Sequence, residues 1–226
     1  MASVVDELAW ILDRYHPDML WIADDVFTIH HGWIFEYAAE LKRRGIRIPF
    51  ECITRADRLN ERIAAALSEL GCMRVWIGSE SGSQRVLDAM ERGVRVEQIR
   101  RAVGFAKANG IETGMFLMWG YDGEEISDIE ATVDHVKQCR PDIFLTTVSY
   151  PIKGTPYFEK VASRLVNIGP WAQTTDRGVQ IRGRHSRRFY KFADDLLRSE
   201  MSSVPDPAAV HAARTGLRES SAECEA

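Results

Sequence analysis

The chain has 226 residues, of which 45% are hydrophobic and 27% charged, and a net charge of −4 at pH 7. Such a length buries roughly 70% of the unfolded surface, so one globular domain with a tail is expected rather than two. The mildly acidic balance gives no electrostatic reason to expect nucleic acid or an anionic membrane as partner, and the apolar runs fall far short of the roughly 18 residues that a membrane helix needs.

A first helix is expected over about Val4 to Tyr15, with Leu8, Ile11 and Leu12 as its apolar stripe and Pro17 as its stop. Met19 to Ala23 then reads as a short strand ending in Asp24-Asp25, followed by a helix over about Gly32 to Arg44 that Gly45 closes. Ile46 to Thr54 reads as the next strand, with Arg55, Asp57 and Arg58 after it, and Asn60 to Leu70 as a helix ending at Gly71. Met73 to Ser79 is a third strand, broken by the run Gly78-Ser79-Glu80-Ser81-Gly82-Ser83. Helices follow over about Gln84 to Met90 and Val96 to Ala108. Glu112 to Trp119 is a fourth strand, Ile126 to Cys139 a helix and Ile143 to Tyr150 a fifth strand. Strands recurring with helices between them have the rhythm of a parallel α/β fold joined by right-handed crossovers.

Beyond Tyr157 the pattern weakens. Pro170-Trp171 and Arg177-Gly178 suggest a loop or hairpin, and Arg187 to Met201 a helix burying Phe189, Phe192, Leu196 and Leu197. Residues 161–201 are thus expected to form a hairpin and helix extension, and 202–226, rich in Ala, Ser, Pro and Glu, a disordered tail. Arg182, Arg184, His185, Arg187 and Arg188 read as a solvated hairpin face, with a phosphate contact as the alternative.

In a parallel α/β fold the carboxyl ends of the strands hold ligands and catalytic groups. Asp24-Asp25 can bind a cation or cap the following helix. Glu80 lies among small residues that let a ligand approach the backbone, and a carboxylate accepts two hydrogen bonds from a diol such as ribose. Gly120 with Glu124 shapes a turn or an adenine site, and Gly154-Thr155-Pro156 a ligand lip or a tight turn. Cys52, Cys72, Cys139 and Cys224 show no Cys-x-x-Cys spacing, which points to neither a metal site nor a disulfide framework. The N-terminus Met-Ala-Ser-Val-Val-Asp-Glu lacks the basic start of a secretory signal, so a cytoplasmic protein is expected.

Five stretches in succession carry a family resemblance. They are Ala-Asp-Asp-Val-Phe (23–27), Thr-Arg-Ala-Asp (54–57), Gly-Ser-Glu-Ser-Gly-Ser with Val-Leu-Asp-Ala-Met-Glu-Arg-Gly (78–93), Met-Trp-Gly-Tyr-Asp-Gly-Glu-Glu (118–125) and Tyr-Pro-Ile-Lys-Gly-Thr-Pro (150–156). In this order they resemble the radical S-adenosylmethionine superfamily over about residues 4–160, and in particular its branch with an N-terminal cobalamin-binding domain. The resemblance implies an incomplete (β/α)6 TIM-like barrel, with residues 1–160 supplying its second to sixth strands. It further implies S-adenosylmethionine held against a [4Fe-4S] cluster. Reductive cleavage then yields a radical that abstracts hydrogen, or a methyl group passes through cobalamin.

On the matching positions, Ser79, Glu80 and Ser81 would lie near the ribose and amino-acid portion of the cofactor, and Asp24 and Asp25 near its methionine end. Arg55 would face the same cavity, Gly120 and Glu124 would belong to the adenine-binding element, and Tyr150 and Pro151 would border adenine. The implied partners are a small-molecule substrate and a reductant such as flavodoxin or ferredoxin. The family's Cys-x-x-x-Cys-x-x-Cys motif does not occur in these 226 residues. The chain therefore reads as the C-terminal portion of such an enzyme, unable to generate a radical alone, with cluster loop and cobalamin domain expected on an upstream polypeptide. The other readings are a non-catalytic remnant that binds S-adenosylmethionine or a nucleoside or acts as a scaffold, and an unrelated α/β enzyme such as a phosphate-binding barrel or a metal-dependent hydrolase using Asp24 and Asp25. Without its first barrel strand, the Met19 to Ala23 strand would be an unpaired edge prone to self-association.

Overall fold

The computed structural model describes residues 1–166, 178–204 and 206–225. The elements run α1 (Ala2–Tyr15), β1 (Leu20–Ile22), α2 (His31–Arg44), β2 (Phe50–Thr54), α3 (Glu61–Leu70), β3 (Cys72–Glu80), α4 (Gln84–Ala89), α5 (Val96–Ala108), β4 (Glu112–Trp119), α6 (Ile126–Cys139), β5 (Ile143–Val148) and α7 (Pro156–Val161). After them come β6 (Leu165–Val166), β7 (Gln180–Ile181), α8 (Arg187–Met201) and α9 (Pro207–Glu219). The first five strands form one parallel sheet in the order β1-β2-β3-β4-β5, and β6 pairs antiparallel with β7. This is the α/β class of an incomplete TIM-like barrel with a helical C-terminal part.

Local chemistry explains the boundaries. Gly45 and Gly71 end α2 and α3 at φ 68° and 99°, values that cost an L side chain energy, and the Asn60 side chain caps α3 by accepting the Ile63 N–H at 3.0 Å. The strand expected from Ile46 begins only at Phe50, because Pro49 has no N–H for a ladder; its carbonyl accepts from Leu20 at 2.9 Å instead. β1 ends the sheet order, and its Trp21 is 49% exposed.

The chain divides into two compact units. The first comprises residues 1–79, 94–116 and 141–145. Its core includes Val5, Ile34, Ile63, Leu67, Val75, Ile77 and Ile99. Buried Glu51 accepts Arg74 Nη1 and Trp76 Nε1, each at 2.7 Å, and Arg74 also reaches Glu112 at 2.5 Å. Gly114 makes room for the Trp76 ring, which a Cβ there would meet at 2.4 Å.

The second unit comprises residues 80–93, 117–140 and 146–226, with Leu87, Trp119, Ile129, Val136, Phe189, Leu196 and Leu197 in its core. On α8 the buried face includes Tyr190 and Ala193, whereas Phe192 is half-buried.

The structure departs from expectation after residue 156. Thr155-Pro156 opens α7, with the Thr155 hydroxyl accepting the Phe158 N–H and Pro156 at the first helical position. Residues 202–226, expected to be disordered, contain α9. Asp206 caps that helix through the Ala208 N–H at 2.9 Å, Pro207 starts it, and Gly216 lets Phe192 pack closely, since a Cβ there would lie 2.4 Å from the ring. The expected loop at Pro170, Trp171 and Arg177 lies outside the described residues.

The basic cluster divides: Arg182, Arg187 and Arg188 are exposed, as a solvated face requires, whereas Arg184 is buried. Arg184 is 9% exposed, pairs with Glu225 at 2.9 Å and donates to the Ser149 carbonyl at 2.5 Å, and Arg188 pairs with Glu223 at 2.6 Å. Gly183 N–H donates to the Glu225 carbonyl at 3.1 Å, so the C-terminal segment is tied to the β7 turn.

Candidate functional site

The run after β3 is shaped by how closely it approaches α6. A Cβ on Gly82 would lie 2.5 Å from both the Ala131 carbonyl oxygen and the His135 Cβ, so only glycine fits. The Gly82 N–H donates to Thr132 Oγ1 at 2.9 Å, the Ser81 and Thr132 hydroxyls meet at 3.0 Å, and the Ser83 N–H donates to Ser81 Oγ at 3.1 Å. The Ser83 hydroxyl donates to Asp128 at 2.6 Å, and Asp128 also receives Arg85. Burial opposes ionisation of Asp128, but the bonds from Arg85, Ser83 and the Glu125 N–H outweigh it and hold the carboxyl below the usual range. The small residues around Glu80 thus serve packing on α6, where the sequence suggested room for a ligand.

Glu80, clamped by this turn, has φ 60°, a left-handed conformation that a non-glycine residue holds only when its surroundings impose it. Its carboxylate is 3.1 Å from Arg92 Nη2. Burial pushes the Glu80 carboxyl above its ordinary value, and Arg92 opposes the rise without cancelling it.

Glu80 and Tyr150 line one cavity of about 430 Å³, together with Arg92, Met118, Tyr121 and Tyr157. Tyr121 and Tyr157 stack with ring centroids 4.8 Å apart and planes 22° apart, and the Tyr121 hydroxyl donates to the Ala89 carbonyl at 2.9 Å. A carboxylate, a guanidinium and several tyrosine faces suit a ligand that combines hydroxyls, charge and a planar ring. Arg92, Tyr121 and Tyr157 were not singled out by sequence. Arg92 and Tyr121 nonetheless stand inside the quoted motifs, and Tyr157 directly follows the last.

The other sequence candidates are placed elsewhere. Ser81 is fully buried in the hydroxyl network, and Pro151 is buried. Gly120, at φ 73°, donates its N–H to Glu124 Oε2 at 2.5 Å, and its missing side chain leaves room for the Tyr190 ring, which a Cβ would meet at 2.9 Å. Glu124 faces a different cavity, of about 710 Å³. Burial pushes its carboxyl up to about 8, with Asp128 adding to the rise and the Gly120 N–H and Arg85 opposing it.

Four candidates belong to the first unit. Ser79 is fully buried; Asp24 and Asp25 are exposed in the turn after β1, where Asp24 lines a small cavity with Phe27, His30 and Trp33. Arg55 pairs with Asp57 at 2.9 Å. Cys52, Cys72 and Cys139 are buried and Cys224 is exposed. Among the described residues no group of three or more His, Cys, Asp or Glu is placed to hold a metal ion, and no helix is long and apolar enough to cross a membrane. The donor set of a [4Fe-4S] cluster, three thiolates converging on one point, does not fit the cysteines of this chain.

Comparison with known proteins agrees with the family resemblance. Residues 2–136 match the family profile of the Radical SAM superfamily. The chain is 29% identical over 174 residues to an uncharacterized methyltransferase of Pyrococcus horikoshii, covering 76% of this chain and 38% of that protein. It is 24% identical over 165 residues to the anaerobic magnesium-protoporphyrin IX monomethyl ester cyclase of Rubrivivax gelatinosus, covering 72% of this chain and 30% of that one. The chain thus spans about a third of the length of these curated relatives. Among solved structures, the radical S-adenosylmethionine methyltransferase TsrM of Kitasatospora setae, with cobalamin and a [4Fe-4S] cluster bound, superposes with a TM-score of 0.66 at 20% identity. That match covers 78% of this chain and 37% of TsrM. The cobalamin-dependent radical enzyme OxsB gives 0.60 at 17% identity, covering 86% of this chain and 35% of OxsB. These two likenesses carry the fold, and the family match over more than half of the sequence carries the rest: the chain belongs to the radical S-adenosylmethionine superfamily.

Proposed function

We propose that this chain is the C-terminal portion of a radical S-adenosylmethionine enzyme of the cobalamin-associated branch, and that the Glu80 cavity takes the nucleoside of S-adenosylmethionine. The observation that carries this reading is Glu80 itself, a half-buried carboxylate held at φ 60° beside the Tyr121–Tyr157 stack. A carboxylate accepts both hydroxyls of a vicinal diol, at about 1.5–3 kcal/mol per charge-assisted bond, and tyrosine faces suit a planar base. Bound S-adenosylmethionine would supply hydrogen abstraction from a small-molecule substrate or, through cobalamin, methyl transfer to it. Within the reading, Glu80 and Tyr150 bind and orient the nucleoside, with Pro151 bordering it, and Gly120 and Glu124 shape the turn beside it.

The ligands of the cluster are proposed to come from another polypeptide segment carrying the cluster loop and a cobalamin domain, because no three of the four cysteines here are grouped. A flavodoxin or ferredoxin as reductant and a cytoplasmic location belong to the same proposal. The same observation favours a second reading, a non-catalytic remnant that binds S-adenosylmethionine or a nucleoside.

Calorimetry of the purified chain with S-adenosylmethionine tests the binding claim. Wild-type binding that Glu80→Gln weakens at least about tenfold is expected, the loss of one charge-assisted diol contact. Binding unaffected by Glu80→Gln would overturn the assignment of the cavity. Anaerobic iron and sulfide analysis separates the two readings: a cluster gained only on adding a Cys-x-x-x-Cys-x-x-Cys polypeptide supports the enzyme portion, and none under any pairing supports the remnant.

A further inference from the structure

Glu124 is 4% exposed and uses only one of its carboxyl oxygens. Oε2 accepts the Gly120 N–H, while Oε1 is buried with no hydrogen-bond partner. A buried polar atom left unpaired costs about 1–3 kcal/mol, so folding alone gives no reason to keep it. A second buried atom without a partner, His185 Nδ1, belongs to a residue lining the same 710 Å³ cavity.

The charges around this cavity are unbalanced. Asp122 is neutralised by Arg164 at 2.6 Å, with Lys160 4.0 Å from its other oxygen and 5.3 Å from the centre of the Tyr121 ring, and Arg184 by Glu225. Arg85, which faces Glu124 from α4, is committed to Asp128 and the Gly123 carbonyl. Tyr190 faces Glu124 from α8, and burial keeps its phenol protonated. Glu125 and Glu130 line the cavity and have no ion-pair partner among the described residues. The positive end of α6 is already taken up by its capping box, in which Glu125 and Asp128 accept each other's backbone N–H. The cavity therefore presents carboxyl groups with no unpaired lysine or arginine among its described lining residues to answer them, which disfavours an anionic ligand and favours a positive one.

We infer that this cavity binds the primary ammonium group of a small molecule, with Glu124 Oε1 as its innermost acceptor and Glu125 and Glu130 flanking it. The ammonium N–H groups satisfy Oε1, and the rest of the ligand lies against Tyr121 and Tyr190. Because Glu124 is protonated near neutral pH, capture of the cation displaces that proton to solvent and leaves a carboxylate–ammonium pair. The inference does not depend on what fills the Glu80 cavity, since its test contains no nucleoside.

Calorimetry of the whole chain with putrescine and tryptamine, and with N-acetyltryptamine as the neutral counterpart, is run at pH 6.5 and 9 in buffers of different ionisation heat. The expected result is binding of at least one amine, release of about one proton at pH 6.5 and almost none at pH 9, and no binding of the acetylated compound. Glu124→Gln keeps an oxygen for the Gly120 N–H, so the fold is retained; it should weaken the amine at least about tenfold and abolish proton release. Glu130→Gln, at a half-buried surface position, should weaken it less with an unchanged melting temperature. Failure of both amines to bind, equal binding of the acetylated compound, or an affinity unchanged in Glu124→Gln would each overturn the inference.

Discussion

Replacing Glu124 by Gln should change how stability responds to pH between about 5 and 8.5. The folded state holds this carboxyl at about 8 against an ordinary value of 4.5, mainly because it is buried. Between these two values the folded chain keeps a proton that the unfolded chain has released, so stability must fall as pH rises through that window. The favourable contribution is complete below 4.5 and lost above about 8, and its ceiling is about 5 kcal/mol. Carboxyls held low in the fold, Asp128 and Asp142, act in the opposite direction but at acid pH, and so does Glu40, lowered to about 2. Glu80, which burial raises, loses stability in the same direction, so the decisive quantity is the difference between wild type and variant. Gln cannot ionise and retains an acceptor for Gly120. Denaturant unfolding at pH 5.5, 7 and 8.5 should show a wild-type decline exceeding that of Glu124→Gln by at least about 2 kcal/mol, with the variant the more stable at pH 8.5. Parallel pH profiles for the two proteins would refute the protonated, buried Glu124.

Two further substitutions probe the neighbouring packing. Gly120→Ala places a side chain at φ 73° and a Cβ 2.9 Å from the Tyr190 ring, so strain and overpacking together should cost about 2–4 kcal/mol, read as a lowered melting temperature. Arg184→Met leaves Glu225, whose side chain is 2% exposed, without its cation; a loss of about 3–5 kcal/mol is expected at pH 7, much of it recovered in the double variant Arg184→Met with Glu225→Leu.

Much of the fold was legible because the signals were local. Gly45, Gly71 and Asn60 mark their helix ends by chemistry that acts within a few residues, and β4 and α6 lie where hydrophobic periodicity set them. Pro49 acts just as locally, since it has no N–H to give the β2 ladder. The C-terminal helix was not legible in the same way. An alanine-rich segment has few large apolar groups, so composition reads as disorder, while the Asp206-Pro207 start signal is short and its stabilising contact, Gly216 against Phe192, is tertiary. Arg184 read as a surface charge because its partner, Glu225, stands at the far end of the chain. Of the candidate site, Glu80 and Tyr150 were legible from motif position; Arg92 and Tyr157 depend on how the chain returns to one cavity, which no local rule reports.

The turn that carries Glu80 separates two effects that a binding assay alone would merge. Glu80→Gln removes charge and leaves the clamp on α6 intact, so affinity for S-adenosylmethionine should fall while the melting temperature is kept. Gly82→Ala does the reverse at its origin. Its Cβ would press at 2.5 Å on the Ala131 carbonyl oxygen, helix backbone that cannot swing aside, so the turn must lift from α6 and break the Gly82–Thr132 bond. Once lifted, nothing holds Glu80 at φ 60°, and the carboxylate leaves the orientation that the proposed diol contact requires. Stability should fall by about 2–4 kcal/mol and affinity with it, at a temperature where the variant is still folded by circular dichroism. If Gly82→Ala loses stability but binds as wild type does, the strained conformation of Glu80 plays no part in binding, and the small residues around it serve packing alone.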